Sequence, residues 1–80
     1  KENSMRFERI RDLREDRDLN QTAVANYLAI DQPGYSCYER GIRDIPIEIL
    51  MKLADFYETS VDYLIGRTDV YRPYPKSHLL

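Results

Sequence analysis

The chain has 80 residues, of which 42% are hydrophobic, and its 12 basic and 14 acidic side chains give a formal net charge of −2. This length predicts one small domain. No apolar run approaches the roughly 20 residues that span a bilayer, and no secretion-signal pattern opens the chain. The one cysteine, Cys37, cannot form an internal disulfide. We therefore expect a protein of the reducing cytoplasm rather than a membrane protein or a disulfide scaffold.

The first helix is predicted to run from a cap at Asn3 or Ser4 to about Asp16. Its apolar residues recur at helical spacing and form an inward-facing stripe: Phe7, Ile10 and Leu13. Leu19 follows a short connection and is expected to be a buried anchor.

The stretch from Asn20 to Gly41, NQTAVANYLAIDQPGYSCYERG, predicts two short helices joined by a tight turn. Asn20 and Asp31 suit the two helix starts, because their side-chain oxygens can accept an unpaired backbone N–H of the first turn. The inward positions are Val24, Ala25, Leu28, Tyr35 and Tyr38. The second helix runs to about Arg40 and leaves four residues facing outward: Gln32, Pro33, Ser36 and Cys37. Gly41 suits the positive φ that often follows a helix end.

Two further helices are predicted after this motif. Pro46 suits the first turn of the fourth helix, which ends near Glu58. The inward residues of that helix are predicted to be Ile47, Leu50, Leu53, Ala54 and Tyr57. Ser60 can cap the fifth helix, and Gly66 ends it.

The segment after the fifth helix, residues 67–80, contains two prolines and no core pattern, so we expect it to be extended and its tyrosines Tyr71 and Tyr74 to be free for a partner. The predicted organisation is one all-α, five-helix domain over residues 1–69 and an extended tail over residues 70–80. The predicted core consists of Phe7, Ile10, Leu13, Leu19, Val24, Leu28, Ile30, Tyr35, Leu50, Leu53, Ala54, Val61 and Leu64.

The order LNQxxVAxxLAIDxxxYSxYERG resembles the Cro/C1-type (XRE-like) helix-turn-helix repressors of bacteria and phages. The resemblance continues through IPIEILMKLADFYETSVDYLIGRTD and back through RIRDLRED, so it covers roughly residues 6–69. It implies a lambda-repressor-like DNA-binding domain whose second motif helix, about residues 32–40, enters the major groove. A homodimer through the fifth helix and the tail would engage two DNA half-sites. The apolar residues that predict this dimer surface are Val61, Ile65, Val70 and Tyr71.

Two glutamines are the leading candidates for DNA contact. Gln21 lies at a helix start, where N–H groups and the positive end of the helix dipole suit a phosphate, and in the family this glutamine anchors the DNA backbone. The family uses the position of Gln32 for base readout, and a glutamine amide matches N6 and N7 of adenine. A capping or solvated glutamine is the alternative for each. Thr22 is grouped with Gln21 as a DNA-binding residue.

The remaining DNA-binding candidates lie on or just after the second motif helix: Pro33, Gly34, Ser36, Cys37, Arg40 and Arg43. Pro33 and Gly34 depart from the family pattern. They indicate either a close approach of the helix backbone to the DNA groove or a frayed helix start. Cys37 is predicted to pack against DNA, with a thiol sensor as the alternative. Arg40 and Arg43 are predicted to bind phosphate, with a solvated turn as the alternative.

The resemblance also implies an ion pair between Arg14 and Glu39 that ties the first helix to the second motif helix. Two independent surface charges, worth under ~1 kcal/mol, are the alternative. The family has glycine where this chain has Ala29 and Glu58. Positive φ at these two residues would cost about 1 kcal/mol or more each.

Charge is distributed unevenly along the chain. Residues 6–17 contain five arginines and four acids, whereas residues 44–62 contain five acids and one lysine. We expect the acidic later helices to point away from DNA.

No nucleophile is spaced with a base and an orienting group, and no Cys/His cluster suits zinc. We therefore predict neither an enzyme nor a cofactor, metal or small-molecule substrate. The predicted partner is double-stranded DNA, bound by a homodimeric, repressor-type transcription regulator. The alternative is a protein-interaction module, such as an antitoxin-like or anti-regulator domain, which the net negative charge favours.

Overall fold

The computed structural model describes residues 6–77, and within this range it contains five α-helices and no strand. The helices are α1 (Glu8–Asp16), α2 (Gln21–Leu28), α3 (Gln32–Glu39), α4 (Ile47–Phe56) and α5 (Val61–Leu64). The predicted all-α class is confirmed. None of these helices is long and apolar enough to cross a membrane.

Side-chain caps begin three of the helices. These three predicted caps are confirmed, and each is a side-chain oxygen that accepts the backbone N–H three residues later: Asn20 from Ala23, Asp31 from Gly34, and Ser60 from Tyr63. These bonds satisfy N–H groups that a helix start leaves without an intrahelical partner. The short helices α2 and α3 therefore begin at residues that the sequence specifies.

Two helix starts differ from the prediction. The cap position of α1 is Phe7, which makes no side-chain cap bond, and the predicted caps Asn3 and Ser4 lie outside the described residues. Pro46 is the N-cap of α4 and lies just before its first turn, with φ of −60°. Proline fits the N-cap as well as the predicted first-turn position, because its φ is fixed near this value and neither position needs an N–H donor.

Left-handed backbone conformations make the connections between helices short. Ala29 ends α2 with φ of 61°, and Glu58 follows α4 with φ of 56°, so positive φ at both residues is confirmed. Asp18, which follows α1, also has φ of 56° and was not predicted. Aspartate enters this region more readily than most residues. Gly41 has the predicted positive φ, of 76°.

The core receives side chains from all five helices. Its buried apolar members are Ile10, Leu13, Val24, Ala25, Leu28, Tyr35, Ile49, Leu50, Leu53, Ala54, Tyr57 and Leu64. Four predicted core residues lie half-buried at its edge: Phe7, Leu19, Ile30 and Val61. The inward prediction for Ile47 is wrong, since it is 57% exposed, whereas Ile49 was missed and is only 9% exposed. Ile49 shares the buried face of α4 because it lies four residues before Leu53.

The tail packs back onto the domain instead of leaving it. Residues 67–77 form no helix or strand, as predicted, but Tyr71 is half-buried against the core. Its hydroxyl donates to the carbonyl of Tyr57 and accepts from Arg17 Nη2 at 2.9 Å. The hydroxyl of Thr59 donates to the Tyr71 carbonyl at 2.5 Å. The prediction that Tyr71 is free for a partner is therefore wrong.

Arg9 fastens α1 to the segment after α5. Its Nη1 donates to the carbonyls of Tyr63 and Thr68 at 2.8 and 2.6 Å, and its Nη2 lies 2.5 Å from Asp69 Oδ1. The guanidinium also lies 4.1 Å from the centroid of the Tyr63 ring, within cation–π range. This arginine therefore serves the fold rather than an external ligand.

Candidate nucleic-acid interface

α2 and α3 form a helix-turn-helix that exposes one side of α3. α3 packs on α2 and α1, while α4 packs on α2 and α5. Tyr35 and Glu39 are the buried residues of α3. Its other side carries the predicted contact residues, of which Pro33 is exposed and four are half-buried: Gln32, Gly34, Ser36 and Cys37. Thr22 is exposed in the first turn of α2.

The structure brings Arg14 and Glu39 together. Arg14 Nε donates to Glu39 Oε2 at 2.7 Å, and Arg14 Nη2 donates to Oε1 at 3.0 Å. Two further donors reach this carboxylate, which is 4% exposed: the Tyr35 hydroxyl at 2.7 Å and Gln21 Nε2 at 3.0 Å. A buried carboxylate is tolerated when it is paired and hydrogen-bonded in this way. The cluster joins α1, α2 and α3 at one point.

These contacts hold each group of the cluster in one protonation state near neutral pH. Burial alone would raise the pKa of Glu39, but the hydrogen bonds from Arg14, Tyr35 and Gln21, with the charge of Arg14, lower it below its ordinary value. The hydrogen bond to Glu39 raises the pKa of Arg14. Burial, followed by the hydrogen bond to Glu39, raises the pKa of the Tyr35 hydroxyl.

The two candidate glutamines are hydrogen-bonded to each other. Gln32 Nε2 donates to Gln21 Oε1 at 2.6 Å, while Gln21 Nε2 donates to Glu39. Because an ionised carboxylate can only accept, Glu39 sets which end of the Gln21 amide faces Gln32. Gln32 keeps its carbonyl oxygen and one N–H for a ligand, which is the donor and acceptor set that pairs with adenine.

Sequence reasoning missed two members of this cluster as partners of Glu39. Tyr35 was predicted only as an inward aromatic, although it lies four residues before Glu39, the spacing at which helical side chains meet. Gln21 was predicted only as a phosphate contact. Its bond to Glu39 spans 18 residues, and no pattern in the sequence indicates it.

Gly34 has a structural role at the start of α3. A Cβ on this residue would lie 2.5 Å from Asp31 Oδ1, the atom that accepts the Gly34 N–H at 3.0 Å. Glycine therefore permits the cap, with Pro33 in the first turn of the helix. The structure does not contain the frayed helix start that was one of the two alternatives.

The end of α3 carries the remaining candidates. Arg40 Nε donates to Ser36 Oγ at 3.1 Å, and the carbonyl of Cys37 accepts the N–H of Arg43 at 3.3 Å. Both arginines are exposed. In the part of the chain that the structure describes, no group of His, Cys, Asp or Glu side chains is arranged to hold a metal ion.

A family model described as helix-turn-helix matches residues 10–64. The chain belongs to the XRE-type helix-turn-helix family. The resemblance drawn from the motif residues is thereby confirmed.

Similar proteins include the cryptic phage CTXphi transcriptional repressor RstR of Vibrio cholerae, 39% identical over 61 residues. The HTH-type transcriptional regulator ImmR of Bacillus subtilis is 36% identical over 62 residues. These matches cover 76% and 78% of this chain but 55% and 49% of the relatives, so the chain spans about half their length.

A solved structure shares the fold. The P22 c2 repressor, in complex with a synthetic operator, is 28% identical with a TM-score of 0.69. The match covers 76% of this chain and 92% of that chain. The predicted lambda-repressor-like architecture is confirmed.

Proposed function

We propose that the protein is a sequence-specific, double-stranded DNA-binding transcription regulator of the repressor type, with α3 in the major groove. The observation that carries the proposal is the Gln21–Gln32 pair, fixed by the buried Glu39 at the edge of α3. Membership of the helix-turn-helix family and similarity to proteins named as transcriptional repressors support it. These relatives are regulators, and no catalytic activity is proposed for this chain.

Each candidate residue has a role in this proposal. Gln32 reads a base, and Gln21 and Thr22 bind a backbone phosphate at the start of α2. Arg40 and Arg43 bind phosphates beyond the end of α3. The rest of the outer side of α3 lies against the bases: Pro33, Gly34, Ser36 and Cys37.

We propose that the regulator acts as a homodimer in the cytoplasm, on half-sites about one helical turn apart. Support comes from apolar residues around α5 and the following segment, where Val61 and Ile65 are half-buried and Val70 is 61% exposed. Tyr71, which the sequence also placed on this surface, is engaged within the domain.

Two variants test this function by duplex titration. Gln32→Ala should relax preference at one base position by ~1–3 kcal/mol and spare non-specific binding, because the amide contacts a base edge. Arg43→Ala is the matched control, since a lost phosphate contact weakens binding to all duplexes and lowers the salt slope by about one. Equal losses on every sequence for Gln32→Ala would contradict the readout role. A wild-type protein that binds no duplex at low salt would favour the protein-interaction module instead.

A further inference from the structure

We infer that Arg6, which precedes α1, joins Arg40 and Arg43 in one phosphate-binding cluster at the end of α3. The inference rests on the proposed function, because it names a further contact to the same ligand, the DNA backbone. Arg6 lies outside the helix-turn-helix motif and outside the residues that the family model matches.

The first observation is the close approach of Arg6 to Gly41. A Cβ built on Gly41 would lie 2.8 Å from the Arg6 Cβ, 3.2 Å from its Cα and 3.4 Å from its backbone nitrogen. Gly41 is buried, whereas Arg6 is exposed. Since Gly41 stands directly after Arg40 and two residues before Arg43, this packing brings three arginines to one edge of the domain.

The second observation is that all three arginines are exposed and that none of them forms an ion pair with an acidic side chain of residues 6–77. Three basic side chains on α1 or directly after it are engaged within the protein: Arg9 with Asp69, Arg14 with Glu39, and Arg17 with Tyr71. The nearest carboxylate in sequence to Arg40 is Glu39, which is buried and already accepts four hydrogen bonds.

The chemistry of the cluster suits backbone phosphate. Three cations without an acidic partner among the described residues lie on one edge, and such a cluster favours an anion although the chain as a whole has a net charge of −2. A guanidinium fork matches phosphate oxygens in a bidentate arrangement. The cluster adjoins the last turn of α3, so a helix lying in the major groove would bring this edge towards the phosphates that border the groove. The contact would add affinity without reading sequence.

The test compares Arg6→Gln with wild type by titration of one duplex over a series of salt concentrations. Losing one phosphate contact should lower the slope of log K against log salt by about 0.9, which weakens binding roughly eightfold at about 0.1 M salt. Base preference should stay unchanged. Arg6→Lys should restore the slope, because it keeps the charge. Arg72→Gln, at an exposed arginine of the tail, is the matched control and should behave like wild type.

The possible outcomes separate this inference from the proposed function. Arg6→Gln could keep the wild-type affinity and salt slope while Arg43→Gln lowers the slope by about 0.9. In that case Arg6 does not contact a phosphate, and the DNA-binding proposal stands. If Arg6→Gln changes base preference instead of slope, the phosphate role is also wrong. If the wild-type protein shows no salt-dependent duplex binding, both proposals fall.

Discussion

Glu39 links the stability of the domain to its proposed recognition surface. The carboxylate of Glu39 accepts hydrogen bonds from Arg14 of α1, Gln21 of α2 and Tyr35 of α3. Breaking a buried pair by removing one partner costs roughly 3–5 kcal/mol, because the other charge stays buried without compensation. The same contacts orient Gln21 and, through it, Gln32. Residues on the inner side of the motif therefore set the geometry of the side chain that we propose reads a base.

The stability that Glu39 contributes should disappear in acid. Because its folded pKa lies below the ordinary value of 4.5, the unfolded chain binds the proton first as the pH falls. The contribution is fully present above that ordinary value and is lost as the pH falls through the lowered folded pKa. Urea unfolding of wild type and Glu39→Gln over a pH series should show a stability difference that is constant near neutral pH and begins to close as the pH falls below 4.5. Asp12→Asn, at an exposed position of α1, is the control for the loss of one surface carboxylate. A difference that does not vary with pH would contradict this role.

The start of α3 shows how one element depends on a pair of residues. Asp31 caps the helix through the N–H of Gly34, and the missing side chain at Gly34 leaves room for the capping oxygen. Glycine inside a helix costs about 1 kcal/mol relative to alanine, and an aspartate cap contributes about the same. The cap at Asp31 was predicted correctly from the sequence. The need for glycine at position 34 was not, because it depends on the short distance between a Cβ there and the capping oxygen.

A double-mutant cycle tests this connection. Gly34→Ala should stabilise the protein by about 1 kcal/mol in an Asp31→Ala background, where no cap remains to be displaced. In the wild-type background the same change should gain nothing or destabilise, because the new Cβ displaces the capping oxygen. Urea unfolding of the four proteins gives the coupling, which we expect to be about 1 kcal/mol. Equal effects in both backgrounds would contradict the account.

α4 illustrates the limit of reading burial from helical spacing. Leu50, Leu53 and Ala54 were correctly predicted to face the core, and they fix most of the buried face. With two isoleucines, Ile47 and Ile49, at the start of the helix, hydrophobicity alone does not decide which one faces inward. The position of α4 against α2 and α5 decides it, and that position is a tertiary fact.

At the scale of the whole molecule, the net charge of −2 does not describe where the charged side chains lie on the surface. Exposed acids include Glu8, Asp12 and Glu15 on α1 and Glu48 and Asp55 on α4, whereas the exposed Arg40 and Arg43, which have no acidic partner among residues 6–77, lie at the end of α3 and just after it. The helices, most of their caps and the family membership could be predicted from the sequence, because the spacing of residue types along the chain indicates them. The docking of the tail through Tyr71 could not, since its partners come from the α1–α2 connection and from the residues after α4.

Selection of bound duplexes from a random pool tests most directly whether α3 reads DNA in the major groove. The account predicts enriched duplexes with two inverted half-sites, centred about one helical turn, ~34 Å, apart. Each half-site should contain an adenine whose enrichment Gln32→Ala abolishes, while the other positions keep their preference. A pool that shows no enrichment, or a consensus that Gln32→Ala leaves unchanged, would contradict the account.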